Sequence, residues 1–273
     1  MPRQTRIPMR VRRIITFSVI GAVAFITAGA LGIPKSLSDQ IANIPASVEN
    51  ITELVQAKPV TIFDPPKYSI DEAASLWVVV NKQRLISPLK YKPDNLVLPD
   101  FAKPKTQNPY GLKLRQEAAT AAESLATAMR EAGEGTLILN SGFRSHKTQK
   151  DLYNRTKKTK GLAVAEQLTA RPGHSEHQLG LAADFSVKGQ GCVIMECFGK
   201  TQGGKWLAKN AHEFGFILRY PKGLQSITGF QYEPWHFRYV GVELATEMKT
   251  KKIRTLEQFW SLDPAPDYAA PAG

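Results

Sequence analysis

Between Ile14 and Ile33 the chain carries no charged residue (IITFSVIGAVAFITAGALGI). Twenty mostly apolar residues at about 1.5 Å each span roughly 30 Å as a helix, the thickness of a bilayer core. Arg3, Arg6, Arg10, Arg12 and Arg13 precede the segment with no acid among them. That asymmetry orients it with the amino terminus inside and the rest exported. An uncleaved transmembrane anchor fits the length. A cleaved signal peptide stays open, because Ala28-Gly29-Ala30 offers small residues for cleavage. Under either outcome, everything beyond residue 33 works outside the cytoplasm.

The two cysteines agree with export. Cys192 and Cys197 stand close together in GCVIMECFG, and in an oxidising compartment a disulfide closing a small loop is the first reading. Two free buried thiols are the alternative. Four cysteine or histidine ligands would be needed for a structural zinc site, so the pair alone cannot make one. Composition is that of a globular chain: 42% hydrophobic and 22% charged over 273 residues. A wholly disordered or collagen-like chain is excluded. The net charge of +12, five units of it from the leading arginines, suits an anionic partner: a nucleic acid, a membrane face or a cell-wall polymer. No metal-finger spacing accompanies it, and we expect no nucleic-acid binding.

Five segments follow in order: a basic segment over 1–13, the apolar segment over 14–33, a stalk over 34–68, a folded domain over 69–262 and a disordered tail over 263–273. Leu37, Ile41, Ile44, Val48, Ile51 and Val55 form a heptad-like stripe in the stalk, interrupted by Pro45. Inside the domain, Leu76–Val80 reads as a buried strand and 87–105 as proline-punctuated loop. The spacing of Leu114, Ala118, Ala121, Leu125, Ala128 and Ala132 predicts a helix over 112–132, stopped by Gly133. Strands are expected at 136–140, 216–219 and 237–240. Helices are expected at 146–157, 162–169, 204–214, 242–249 and 255–259. Helices and strands mix without a βαβ rhythm, which predicts an α+β fold with a small antiparallel sheet and flanking helices.

Chemistry concentrates in three strings: Ser141-Gly-Phe-Arg144-Ser145, Ser175-Glu-His177-Gln-Leu-Gly180-Leu-Ala182-Ala-Asp184, and Glu233-Pro-Trp-His236. His177, Asp184 and His236 are two imidazoles and a carboxylate, a set that suits one zinc ion. Three protein ligands leave a fourth position for water, as in catalytic sites. Glu233 is the candidate general base. His177 and Asp184 are seven residues apart, so a straight strand would point them to opposite faces. They can share one metal only if the chain bends between them, and Gly180 allows that. Pro234 predicts a bend, with Glu233 before a strand and His236 on it. Each residue also has a plainer reading: a hydrogen-bonded core pair for the histidine and aspartate, a surface ion pair for Arg144, a structural or cleft-lining place for His174. Other catalytic patterns fail. There is no H-E-x-x-H, no G-x-S-x-G and no phosphate-binding loop; Ser87-Pro-Leu-Lys90 matches S-x-x-K but has no K-T-G beside it.

Taken together, S-x-H-x-x-G-x-A-x-D followed by E-x-x-H resembles the zinc D-alanyl-D-alanine carboxypeptidases of the VanY type, a group that includes VanX-like dipeptidases and the hedgehog signalling domain. S-G-F-R-S, G-K-W-L-A-x-N-A-H-x-F-G-F-I-L-R-Y-P and E-P-W-H-F-R-Y extend the likeness from about Ser69 to Phe259. The resemblance implies that His177, Asp184 and His236 bind zinc, that Glu233 is the catalytic base and that Arg144 contacts substrate and steadies the oxyanion. It also implies that Ser175 and Gln149 lie near the substrate. That substrate would be a peptidoglycan stem peptide ending in D-Ala-D-Ala. An L,D-carboxypeptidase or bridge endopeptidase of the same fold stays open, as does a zinc-bearing wall-binding module. Leu179 departs from the threonine common in relatives, at no expected ligand.

Overall fold

The computed structural model describes residues 67–269. The basic segment, the apolar segment and nearly all of the stalk lie outside the described residues. Among those described, no helix is long and apolar enough to cross a membrane.

The elements run β1 (Leu96–Val97), α1 (Pro104–Gln107), β2 (Leu114–Arg115), α2 (Gln116–Glu131), β3 (Leu137–Ser141), α3 (His146–Lys160), α4 (Leu162–Leu168), β4 (Ala182–Val187), α5 (Gln202–Asn210), β5 (Phe216–Leu218), α6 (Gln225–Thr228), β6 (His236–Tyr239), α7 (Val242–Thr250) and α8 (Leu256–Phe259). Two sheets form. β1 pairs with β2, and a four-stranded antiparallel sheet has the order β3-β4-β6-β5. The α+β expectation with flanking helices holds.

Helix α2 shows how the sequence builds the core. Ala118, Ala119, Ala122, Leu125, Ala126 and Met129 are buried, a stripe at helical spacing that faces the sheet. Each large apolar side chain so buried contributes about 1.5–3 kcal/mol. The helix ends where Glu134 N–H reaches back to Met129 O and Gly133 takes φ +73°, a left-handed stop that glycine adopts at no steric cost. It begins four residues later than its spacing predicts, because Leu114 and Arg115 pair with Leu96 and Val97 instead.

Strand β4 is buried along its whole length, as expected for a central strand. Ala183, Phe185 and Val187 enter the core with Leu137, Leu139, Phe216 and Phe237. The alternation of a strand then sends Ala182, Asp184 and Ser186 to the other face. On that face β6 presents His236 opposite Asp184 and Arg238 opposite Ala182.

The stretch 87–105, expected as loop, contains β1 at Leu96–Val97, paired with β2, and two further expectations fail. Leu76–Val80 is not a strand. Trp77, Val78, Val79 and Val80 are buried, but arginine side chains take the carbonyls that a ladder would use. Arg238 Nη2 donates to Leu76 O (3.0 Å) and Val78 O (2.9 Å), Arg84 Nε to Val79 O (3.0 Å) and Arg219 Nη2 to Val80 O (3.4 Å). Hydropathy located the burial correctly, but four hydrogen bonds from three guanidinium groups replace the sheet partner. Nor is the tail disordered over 263–269. Ala265 is fully buried and its N–H donates to Ile227 O. Lys82 Nζ donates to Pro266 O, and Tyr268 OH accepts from Arg171 N–H with its ring 4.1 Å from the Arg171 guanidinium.

Candidate metal centre and the cavity around it

Register explains how residues distant in the chain meet. Asp184 pairs across the sheet with His236 on one side and with Ser141 on the other, where β3 shifts register between Leu139 and Ser141. His177 arrives from a 3-10 turn, Glu176–Leu179, closed by Gly180 at φ +68°. That is the bend that a shared metal requires and that Gly180 allows. Glu233 lies three residues before His236, which opens β6, so the second bend also falls where Pro234 predicts it.

All three candidate ligands are buried, and each offers a donor atom within 4.8 Å of the others. Asp184 Oδ2 is 3.4 Å from His177 Nε2, and Asp184 Oδ1 is 3.2 Å from His236 Nδ1. Tetrahedral ligands bound at about 2.0–2.1 Å sit roughly 3.3 Å apart; the two imidazoles meet that spacing to different oxygens of Asp184, and the three residues can offer one atom each within 4.8 Å. The outer atoms are tied down. His177 Nδ1 donates to Gly142 O at 2.8 Å; a carbonyl can only accept, so Nε2 keeps its lone pair for the cluster. His236 Nε2 faces Glu176 Oε2 at 3.4 Å, which turns Nδ1 inward. Asp184 Oδ1 is buried without a hydrogen-bond partner, the kind of orphan that a bound cation satisfies.

Electrostatics sharpen the site. Against the upward push of burial, His177 and His236 hold the Asp184 carboxyl well below the ordinary carboxylate range. Burial pushes His177 down. His236 goes the other way: burial opposes it, but the neighbouring carboxylates of Asp184 and Glu176 raise it to about 9. A cation taking that place competes with a proton on His236. Glu233 has 12% of its side chain exposed and lies 3.6 Å from His236 Nδ1. Burial pushes it up to about 8, partly opposed by His236 and Arg144. That is the range of a group able to take and return a proton near neutrality.

Arg144 follows β3 and precedes α3, whose first turn Ser145 caps by accepting from Thr148 N–H. Its Nη1 donates to Gln149 Oε1 (2.8 Å) and its Nη2 to Ser141 Oγ (2.9 Å). Gln149 in turn donates to Ala170 O at 2.6 Å. Both ends of its amide are thus occupied, and within the cavity wall it holds Arg144 in place. Ser175 also lines this cavity, which has a volume of about 360 Å³. His174 stays outside the cluster: its Nδ1 meets Asn81 O, and its ring packs edge-on against Tyr268. A second cleft of about 440 Å³ has no carboxylate in its lining. The expected disulfide is present, with Cys192 and Cys197 Cα atoms 5.6 Å apart.

Glu176 was not among the sequence candidates. Its Oε1 accepts from Arg219 Nε (2.8 Å) and Arg238 Nη1 (2.9 Å), and its Oε2 faces His236. Arg219 also binds Glu257 through both terminal nitrogens. All four charged side chains are buried. The two arginines outweigh burial and keep Glu176 ionised. An acid beside a candidate ligand was the only trace of this network in the sequence, because its arginine partners, Arg219 just after β5 and Arg238 on β6, lie 43 and 62 residues away.

Comparison with known proteins agrees with this geometry. The VanY family, D-alanyl-D-alanine carboxypeptidases, matches residues 111–242. The bifunctional D-Ala-D-Ala dipeptidase and D-Ala-D-Ala carboxypeptidase VanXYC of Enterococcus gallinarum is 36% identical over 197 residues, covering 70% of this chain and 94% of that protein. The chain belongs to the VanY family. Among solved structures, the LD-carboxypeptidase LdcB is 39% identical with a TM-score of 0.62, over 69% of this chain and 87% of that one. A mutant of the vancomycin-resistance D,D-pentapeptidase VanY, in complex with Zn(II), is 32% identical with a TM-score of 0.55, over 69% and 99%. This VanY-family domain therefore has a relative known to bind zinc, and relatives described by two different bond specificities.

Proposed function

We propose that this protein is a zinc carboxypeptidase that removes the terminal D-alanine from peptidoglycan stem peptides, with D-Ala-D-Ala ends as its first substrate. The observation that carries this reading is the convergence of His177, Asp184 and His236, with Glu233 and Arg144 facing the same cavity. One zinc ion would be held by those three side chains; when bound it polarises a carbonyl and lowers the pKa of a water toward about 7. Glu233 takes the proton from the attacking water and returns it to the leaving D-alanine amine. Arg144, held by Ser141 and Gln149, faces the charge that develops on the carbonyl oxygen; loss of such a donor typically costs about 10²–10³ in rate. Ser175 lines the place where the peptide lies.

The likeness to LdcB favours a second reading, cleavage of the L,D bond that holds the D-alanine of a tetrapeptide stem. The same residues would serve, and the substrate differs at the penultimate position, in both stereochemistry and side chain. We also propose that the domain works outside the cytoplasm, tethered by residues 14–33 with the amino terminus inside, or released if that segment is cleaved. The leading arginines, the apolar run and the disulfide support this.

Mass analysis of products from defined pentapeptide and tetrapeptide stems, with and without chelator, tests the reading. Loss of one D-alanine from the pentapeptide, abolished by chelator, is expected. Loss from the tetrapeptide alone would move the assignment to the L,D bond, and turnover undiminished by chelator would overturn the metal mechanism. Glu233→Gln should reduce kcat by about 10³ with zinc retained.

A further inference from the structure

The loop that leaves β4 is built in an unusual backbone. Gly189, Gly191, Cys192 and Ile194 all have positive φ, at 79°, 68°, 56° and 51°. Two of these carry side chains, and a β-branched residue in the left-handed region is an outlier. Such backbone persists only where the surroundings over-determine it, and it clusters at ligand clamps. Here the surroundings are visible. Strand β4 fixes one end of the loop. Gln190 is tied through Nε2 to Glu134 O and through Oε1 to Gly203 N–H. Phe198 is buried beyond the second cysteine, and the Cys192–Cys197 disulfide closes the turn.

What the loop holds is Ile194, and Ile194 lines the cavity that contains the metal cluster. Its neighbours Val193 and Met195 are about half exposed, at 49% and 53%. With Ile194 itself 44% exposed, these are three consecutive large apolar side chains left partly open, a costly surface unless something covers them. Leu152, Leu168 and Phe230 line the same cavity, so its lining combines apolar side chains with the charged cluster.

We propose that residues 192–197 form a disulfide-pinned substrate clamp, in which Ile194 grips the aliphatic part of a peptide residue next to the scissile bond. This rests on the carboxypeptidase reading and adds a residue that sets substrate affinity without touching the reacting atoms. The disulfide acts through Ile194: opening it lets the left-handed backbone relax and withdraws the wall.

The test compares Ile194→Ala, the double variant Cys192→Ser/Cys197→Ser and, as a control, Leu162→Ala, an exposed apolar residue elsewhere. Kinetics on the stem peptides and zinc content are measured for each. Peptide affinity is measured by calorimetry on zinc-loaded Glu233→Gln protein carrying the same changes. Ile194→Ala should raise KM and weaken peptide binding by roughly 5- to 20-fold, as expected for a lost apolar contact of a few methylenes. Its kcat should stay within about twofold and its zinc content should not change. The double variant should move in the same direction, and the control should not move. An unchanged KM and affinity in Ile194→Ala, or a fall in kcat alone, would overturn the clamp. If no protein in the set turns over either peptide, the carboxypeptidase reading falls, while the calorimetry still decides whether Ile194 grips the peptide.

Discussion

Glu176 shows most clearly how much one side chain can carry. It holds His236 by one oxygen and two buried arginines by the other. Outer carboxylates of this kind fix a ligand's tautomer and ring orientation, and their loss typically costs about 10- to 100-fold in metal affinity. Glu176→Gln should therefore weaken zinc binding by about that factor in a chelator competition; unchanged affinity would show that His236 is oriented without it. The proton balance gives a second expectation. His236 is raised from 6.5 to about 9, and Glu233 from 4.5 to about 8. A raised pKa contributes stability below the unfolded value and loses it as pH climbs through the folded one. The metal-free protein should then melt at progressively lower temperature between pH 6.5 and 9. Zinc affinity should rise over the same interval as the competing proton on His236 leaves. A flat or rising melting temperature across that window contradicts the assignment of these two groups.

Elements were legible where local chemistry decides them. The alanine stripe of α2 and its glycine stop, the bend at Gly180 and the break at Pro234 all follow from residue types at short range. Leu76–Val80 was misread because its partners are arginines from β6 and from the residue after β5, and a hydropathy pattern carries no information about distant donors. The tail was misread for a related reason. DPAPDYAAPAG looks unstructured by composition, but Ala265 and Tyr268 find sites on the domain that the tail itself does not encode. Removing residues 263–273 should cost about 1–3 kcal/mol through lost burial and hydrogen bonds. A melting-curve comparison checks this, and an unchanged midpoint would mean the tail's contacts contribute nothing in solution.

At the scale of the whole molecule, the candidate ligand set was readable as residue types, and its convergence depends on topology. His177, Asp184 and His236 stand out as strings, yet nothing in their spacing says that β4 and β6 lie side by side with Asp184 facing His236. The second layer, Glu176 with Arg219, Arg238 and Glu257, was invisible until the strands were in place. Arg144 was readable, whereas its support by Ser141 and Gln149 was not. Everything proposed about turnover depends on those three side chains holding one ion. Elemental analysis of the purified protein and its His236→Ala variant, each refolded with zinc and freed of excess, tests that most directly. The account predicts one zinc per chain in the parent and near-complete loss in the variant; a parent without zinc, or a variant that keeps it, would contradict it.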